Sequence, residues 1–231
     1  MKIDMIAFDA DDTLWENELL YQNAQEKLKE ILSPWVSPEV IDRVLYDTEM
    51  RNLPLYGYGI KSFSLSMIET AIQVSKGKIP GDKISKILDI AQSMLQAEVK
   101  LRPYVREALE ALSGKYPLMV ITKGDLLDQT AKIKRSGLEG YFSITEVIND
   151  KTLETYRAIL QRHDLLPERF LMVGNSLRSD VLPVLALGGK AVYVPADTTW
   201  KHEVVSEFDG QSEDFFELEH LGQLPSLVEG D

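Results

Sequence analysis

Residues 3–14 read Ile3-Asp4-Met5-Ile6-Ala7-Phe8-Asp9-Ala10-Asp11-Asp12-Thr13-Leu14. Up to Phe8 the run is short and apolar, broken once by Asp4, which suits a buried β-strand. It then meets Asp9, Asp11 and Asp12 within four residues. Acids crowded at the end of a buried strand are costly unless a cation sits among them. A hard divalent metal with oxygen ligands is the natural partner. In isolation the same loop would equally well cap a helix or shape a turn.

Working outward, four further apolar, β-branched runs have strand length: Leu118 to Ile121, Phe142 to Ile148, Phe170 to Val173 and Ala191 to Val194. Between them lie segments of helical spacing: Val105, Ala108, Leu109, Leu112; Leu127, Ala131, Lys134; Leu153, Tyr156, Ile159, Leu160; and Val181, Val184, Leu185. Alternation of strand and helix predicts an α/β fold with a doubly wound parallel sheet. Residues 15–98 differ, because helical periodicity runs through Leu19, Leu20, Ala24, Leu28, Ile31, then Val40, Val44, Leu45, then Leu65, Ile68, Ile72, then Ile84, Ile87, Leu88, Ala91, Leu95. The expected organisation is therefore a core of residues 1–14 and 99–231 with an all-helical insertion at 15–98. Breaks inside the insertion are expected at Ser33 to Pro38, Asn52 to Ile60 and Lys76 to Gly81, where helix-stopping residues gather.

In open parallel sheets ligands bind beyond the carboxyl ends of the strands. Those ends carry Asp9-Ala10-Asp11-Asp12, Thr122-Lys123-Gly124-Asp125, Asn149-Asp150-Lys151-Thr152 and Gly174-Asn175-Ser176 followed by Asp180. Each has a plain structural reading: Asp125 as a helix N-cap, Lys151 as a solvated charge. Together they offer carboxylates for a metal, a hydroxyl and lysines for a phosphate, and a carboxylate able to attack phosphorus. The reaction class this indicates is phosphoryl transfer.

In these motifs the chain resembles the haloacid dehalogenase superfamily: Asp9-x-Asp11-x-Thr13-Leu14, then Thr122 after a second strand, then Lys151, then Gly174-Asn175 with Asp180, in that order. The resemblance implies a Rossmann-like core with a helical cap, Asp9 as nucleophile and Asp11 as general acid and base. It also implies Thr122 and Lys151 as phosphate-binding groups, with Mg2+ bound at Asp9, the Asp11 carbonyl, Asn175 and Asp180. Two positions depart from the pattern. Asn175 stands where the family usually has a carboxylate, and a pair of unit charges ~4 Å apart is worth roughly 4 kcal/mol at an effective dielectric of about 20. Weaker metal binding is expected. Lys123 stands where a small or amide residue is usual beside Thr122, and either adds a phosphate contact or points to solvent.

Composition narrows the partners. The chain holds 25 Lys plus Arg against 37 Asp plus Glu, a formal charge of -12, which repels nucleic acid and anionic membranes. There is no cysteine, so neither disulfides nor a thiolate nucleophile enter, and a cytoplasmic setting is expected. Asp4 interrupts the apolar run that a signal peptide needs, and no stretch approaches the ~18 apolar residues that span a bilayer. His163, His202 and His220 lie far apart without ligand spacing. The expected substrate is a small phosphorylated metabolite, its non-phosphate part touched by Leu53-Pro54-Leu55-Tyr56-Gly57-Tyr58-Gly59. Three rivals stand beside this: a dehalogenase acting at carbon, a receiver domain phosphorylated on aspartate, and a weakly active regulatory relative.

Overall fold

The computed structural model describes residues 2–198, 200–205, 208 and 210–230. Met5–Phe8 forms the first strand, β1, buried on both faces: Met5 and Ala7 join one hydrophobic cluster, Ile6 and Phe8 the other. This is how a near-continuous apolar run is used when helices cover both sides of a parallel sheet. The remaining strands are β2 (Leu118–Lys123), β3 (Ile144–Ile148), β4 (Phe170–Gly174), β5 (Lys190–Tyr193) and β6 (Phe215–Glu217). They pair in parallel in the order β3-β2-β1-β4-β5-β6. The connection direction reverses between β1 and β4, the switch point beside which such folds bind ligands. The expected doubly wound α/β fold is therefore present. β6 is an addition, three residues long and missed by the search for apolar runs.

Two compact units are present: Met1–Glu18, Val99–Lys123 and Gln129–Asp231 in one, Leu19–Glu98 with Gly124–Asp128 in the other. The first boundary falls four residues later than expected, at 18 rather than 14. Residues 15–18 stay with the sheet because Trp15 bridges Asp11 and Leu101, while the Asp12 carboxylate accepts the backbone N–H groups of Asn17 and Glu18. Asp12 sits at a φ of 62° to make this turn, so the plain capping role weighed for the acidic loop is filled by Asp12 alone.

The second unit holds α1 (Glu18–Leu32) beyond its first residue, with α2 (Pro38–Tyr56), α3 (Ile60–Val74) and α4 (Gly81–Leu95). Their core is Ala24, Leu28, Leu32, Ile41, Leu45, Phe63, Met67, Ala71, Ile87, Ile90 and Met94. On α3 the buried face is Phe63, Met67 and Ala71, at the i, i+4 spacing of one helix face; the expected Leu65 and Ile72 are 46% and 47% exposed. The break expected from Asn52 narrows to Gly57–Gly59, since α2 runs through Pro54 to Tyr56 and the Gly57 N–H closes its last turn on Leu53 O at 2.9 Å. No helix among the described residues is long and apolar enough to cross a membrane.

The sheet unit carries α5 (Val105–Ser113), α6 (Leu126–Ser136) from Gln129 onward, α7 (Leu153–Arg162), α8 (Leu182–Ala186) and α9 (Leu224–Glu229). On α6 the expected apolar face, Leu127, Ala131 and Lys134, is the wrong one. Leu127 is 72% exposed, whereas Asp128, Gln129, Lys132, Ile133 and Ser136 are buried. A helix turns a polar face inward when those groups find partners, and Lys132 and the amide nitrogen of Gln129 find theirs in the candidate site, while Gln129 Oε1 has none among the described residues.

Candidate active site

Backbone pairing fixes the start of the site, because the N–H of Asp9 donates to Val173 O at 2.9 Å and so continues the β1–β4 ladder past its last residue. Asp9 is 7% exposed. Its Oδ2 accepts from Thr13 Oγ1 at 2.9 Å and its Oδ1 from Lys151 Nζ at 2.5 Å. The same ammonium donates to Asp180 Oδ1 at 2.6 Å, and Asp180 Oδ2 accepts the Ser176 N–H at 3.0 Å. Gly174 makes this approach possible, since a Cβ there would stand 2.2 Å from Asp180 Oδ2 and 2.6 Å from Asp180 Cβ.

Two buried carboxylates thus share one ammonium, which leaves one negative charge unmatched in a dry place whenever both are ionised. Burial raises the Asp9 pKa to about 7; Lys151 opposes the rise, while Asp180 and Asp11 add to it. Burial would lower Lys151, but Asp180 and Asp9 outweigh it and hold the ammonium above its ordinary value. An arrangement one positive charge short is what a cation site requires.

Oxygen geometry supports the same fit. One amide atom of Asn175 lies 3.1 Å from Thr13 Oγ1, 3.3 Å from the Asp11 carbonyl oxygen and 3.2 Å from Asp9 Oδ2. Without a cation, the nitrogen faces these acceptors and satisfies them. With the amide turned over, Asn175 Oδ1, Asp11 O and Asp9 Oδ2 converge as hard oxygen ligands of the kind Mg2+ takes. The donor set therefore fits magnesium. Among the described residues no group of three His, Cys, Asp or Glu side chains stands ready for a metal, because the set here draws on an amide and a backbone carbonyl. Asp180 borders the set with both its oxygens already engaged.

The Asp11 side chain is turned elsewhere. Its Oδ1 accepts from Trp15 Nε1 at 2.7 Å and Lys132 Nζ at 2.6 Å, and its Oδ2 from Gln129 Nε2 at 2.8 Å. Lys132 also reaches Asn17 Oδ1 at 3.1 Å, and Gln129 the Lys123 carbonyl at 2.8 Å. Thr122 ends its strand buried, its hydroxyl making only a long contact of 3.5 Å to Lys123 O. Lys123 corrects the solvent reading: its Nζ donates to Glu203 Oε1 at 2.5 Å and Ser179 Oγ at 2.9 Å, and its side chain is 14% exposed.

The structure thus gathers Asp9, Lys151, Asn175, Asp180 and the Asp11 backbone around one point, with Thr122 and Lys123 at the end of the neighbouring strand. Sequence reasoning missed Gln129, Lys132 and Glu203. The first two lie i, i+3 on a helix, a spacing that puts them on one face, but a polar pair on a surface helix carries no mark of burial. Glu203 has no local signal at all. The three histidines stay out of the site: His163 meets Glu146, His202 meets Arg178 and Trp200, and His220 stacks on Tyr104.

A family model described as haloacid dehalogenase-like hydrolase matches residues 3–188. A crystal structure of a haloacid dehalogenase-like family hydrolase from Xanthomonas campestris is 38% identical, with a TM-score of 0.89 over 99% of this chain and 91% of that one. The phosphorylated carbohydrates phosphatase of Thermotoga maritima is 23% identical over 197 residues, 83% of this chain and 84% of its own. A 2-haloacid dehalogenase from Pseudomonas syringae shares the fold with a TM-score of 0.66 at 21% identity, covering 99% of each chain.

Proposed function

Because this chain belongs to the haloacid dehalogenase-like hydrolases, we propose that it is a phosphatase attacking small phosphomonoesters with the Asp9 carboxylate. The observation that carries the reading is the meeting of Asp9 with Lys151, Asn175 and the Asp11 carbonyl at the β1–β4 switch point. A carboxylate oxygen of Asp9 bonds to phosphorus as the P–O bond to the leaving alkoxide breaks, and Asp11, once protonated and released from Trp15, Lys132 and Gln129, supplies that alkoxide with its proton. Asp11 then takes a proton from the water that cleaves the aspartyl-phosphate, freeing inorganic phosphate and restoring Asp9. Lys151 neutralises charge on the phosphoryl oxygens while holding Asp9 in line, and the Thr122 hydroxyl lies near the strand end where a further oxygen would be received, with Lys123 beside it paired to Glu203. Mg2+, held by Asp9, the Asp11 carbonyl and Asn175 beside the charge of Asp180, would offset the repulsion between carboxylate and phosphate.

Asp11 favours phosphate over dehalogenation at carbon, because a departing halide needs no proton. The likeness to a phosphatase named for phosphorylated carbohydrates supports a sugar phosphate as substrate. The test is hydrolysis of an aryl phosphate with magnesium and with chelator, in wild type and Asp9→Asn. Chelator should abolish turnover, and the isosteric variant should lose on the order of 10⁴-fold or more in kcat while keeping its circular dichroism. Halide release from a 2-haloacid that ignores chelator, with no phosphate ester cleaved, sinks the reading.

A further inference from the structure

The segment between β5 and β6 sends one side chain into the sheet unit's ligand-binding end. Glu203, in a single 3-10 turn at Lys201–Glu203, places Oε1 2.5 Å from Lys123 Nζ, and Oε2 2.5 Å from Ser176 Oγ and 2.6 Å from Ser179 Oγ. All three donors belong to strand-end loops of the site: Lys123 follows Thr122, Ser176 follows Asn175, and Ser179 precedes Asp180. Ser176 Oγ also accepts the Ser179 N–H at 3.0 Å, and Ser179 O accepts from Tyr156 OH at 3.0 Å. The turn from Asn175 to Asp180 is thus gripped at two points by one carboxylate, which ties it to the end of β2. Glu203 lies beyond residues 3–188, the part of the chain that the family model matches.

We propose that Glu203 is a positioning residue for the candidate reaction: it fastens the Asn175–Asp180 turn to Lys123 and so fixes where the Asn175 amide and the Asp180 carboxylate stand around the metal-binding oxygens. This rests on the phosphatase reading only for its effect on turnover; the effect on metal binding stands without it. Lys123 acquires a purpose as well, because a small or amide residue at that position would leave the buried Glu203 carboxylate without its cation. Burial works to raise the Glu203 pKa, but Lys123 and the two hydroxyls overcome it and pull it down to about 2, so the grip is ionic throughout the neutral range. Groups that orient metal ligands from outside typically govern affinity or activity by about 10- to 100-fold.

The competing account makes Glu203 a buried tie that only stabilises the segment. Glu203→Gln, Glu203→Asp and Lys190→Ala separate the two, since Lys190 anchors the same β5–β6 segment through Asp214 without touching the Asn175–Asp180 turn. Magnesium binding is measured directly by calorimetry on the full chain, together with kcat, KM and thermal midpoint. Glu203→Gln should weaken magnesium binding by at least about 10-fold and lower kcat more than it raises KM. Glu203→Asp should recover part of both, and Lys190→Ala should lower the midpoint while leaving magnesium affinity unchanged. Should Glu203→Gln lose thermal stability with magnesium affinity within twofold of wild type, the positioning role is overturned. If the binding shift appears but no phosphate ester is cleaved by wild type, the proposed reaction fails and the positioning role survives.

Discussion

At the scale of single residues, Asn175 is where the proposed metal binding can be tested. Its amide faces Asp9 Oδ2 and the Asp11 carbonyl at 3.2 and 3.3 Å, so whichever atom it presents sets the character of the pocket. An oxygen makes a ligand; a nitrogen makes an internal donor that competes with the metal. A carboxylate in its place would remove the competing donor and add a charge. Asn175→Asp should therefore lower the half-saturating magnesium concentration, read from hydrolysis rates across a magnesium titration. An unchanged concentration would place the side chain outside the coordination sphere.

At the scale of elements, α6 has two unlike ends. α6 turns Gln129 and Lys132 inward onto Asp11, while its first turn, Leu126 and Leu127, is 67% and 72% exposed. The connection after Tyr56 turns through Gly57 and Gly59 at φ of 70° and 108°, with Lys61 paired to Asp125 at 2.8 Å close by. Tyr56 itself is 54% exposed. If these tyrosines read the non-phosphate part of the substrate, replacing Tyr56 and Tyr58 by Phe and then Ala should reorder a panel of sugar phosphates while barely changing a small generic phosphate. A uniform fall across the panel, or a loss confined to thermal stability, would make the connection structural. Strands β1, β2 and β4 were legible because a strand buried on both faces is written in consecutive apolar residues, and Asp9 and Lys151 because they follow such strands. β6 was not, being Phe215-Phe216-Glu217 with a charge in three residues. The inward face of α6 was not, because Leu126 and Leu127 are exposed while the buried Gln129 and Lys132 meet a partner more than 100 positions away.

At the scale of the whole molecule, the buried acid of the site ties stability to pH. The Asp9 pKa stands at about 7 when folded, against an ordinary 3.8, burial being the main cause. Between those values the folded state binds more protons than the unfolded one, so stability falls as pH rises from about 4 to about 7. In chelator, the urea midpoint of wild type should decline across that window relative to Asp9→Asn. Magnesium should flatten the decline, because a cation on the carboxylate opposes the upward shift. A wild-type midpoint running parallel to the variant from pH 4 to pH 7 would contradict the charge assignment. The acidic surface implied by a net charge of -12 acts on both proteins alike and cancels in the comparison.

Gly174 carries a consequence for how such a chain can change over generations. A methyl group there would fall 2.2 Å from Asp180 Oδ2, so any side chain gained at 174 displaces the acid that shares Lys151 with Asp9. The order of mutation is therefore constrained. A lineage that keeps its charge arrangement is held at glycine, and loss of the Asp180 carboxylate alone does not release it, since the Cβ at 180 would still stand 2.6 Å from the added methyl. A relative bearing a larger residue at this position should accordingly carry glycine at the position of Asp180 or a displaced turn there, and either change gives up the acid that shares Lys151 with Asp9.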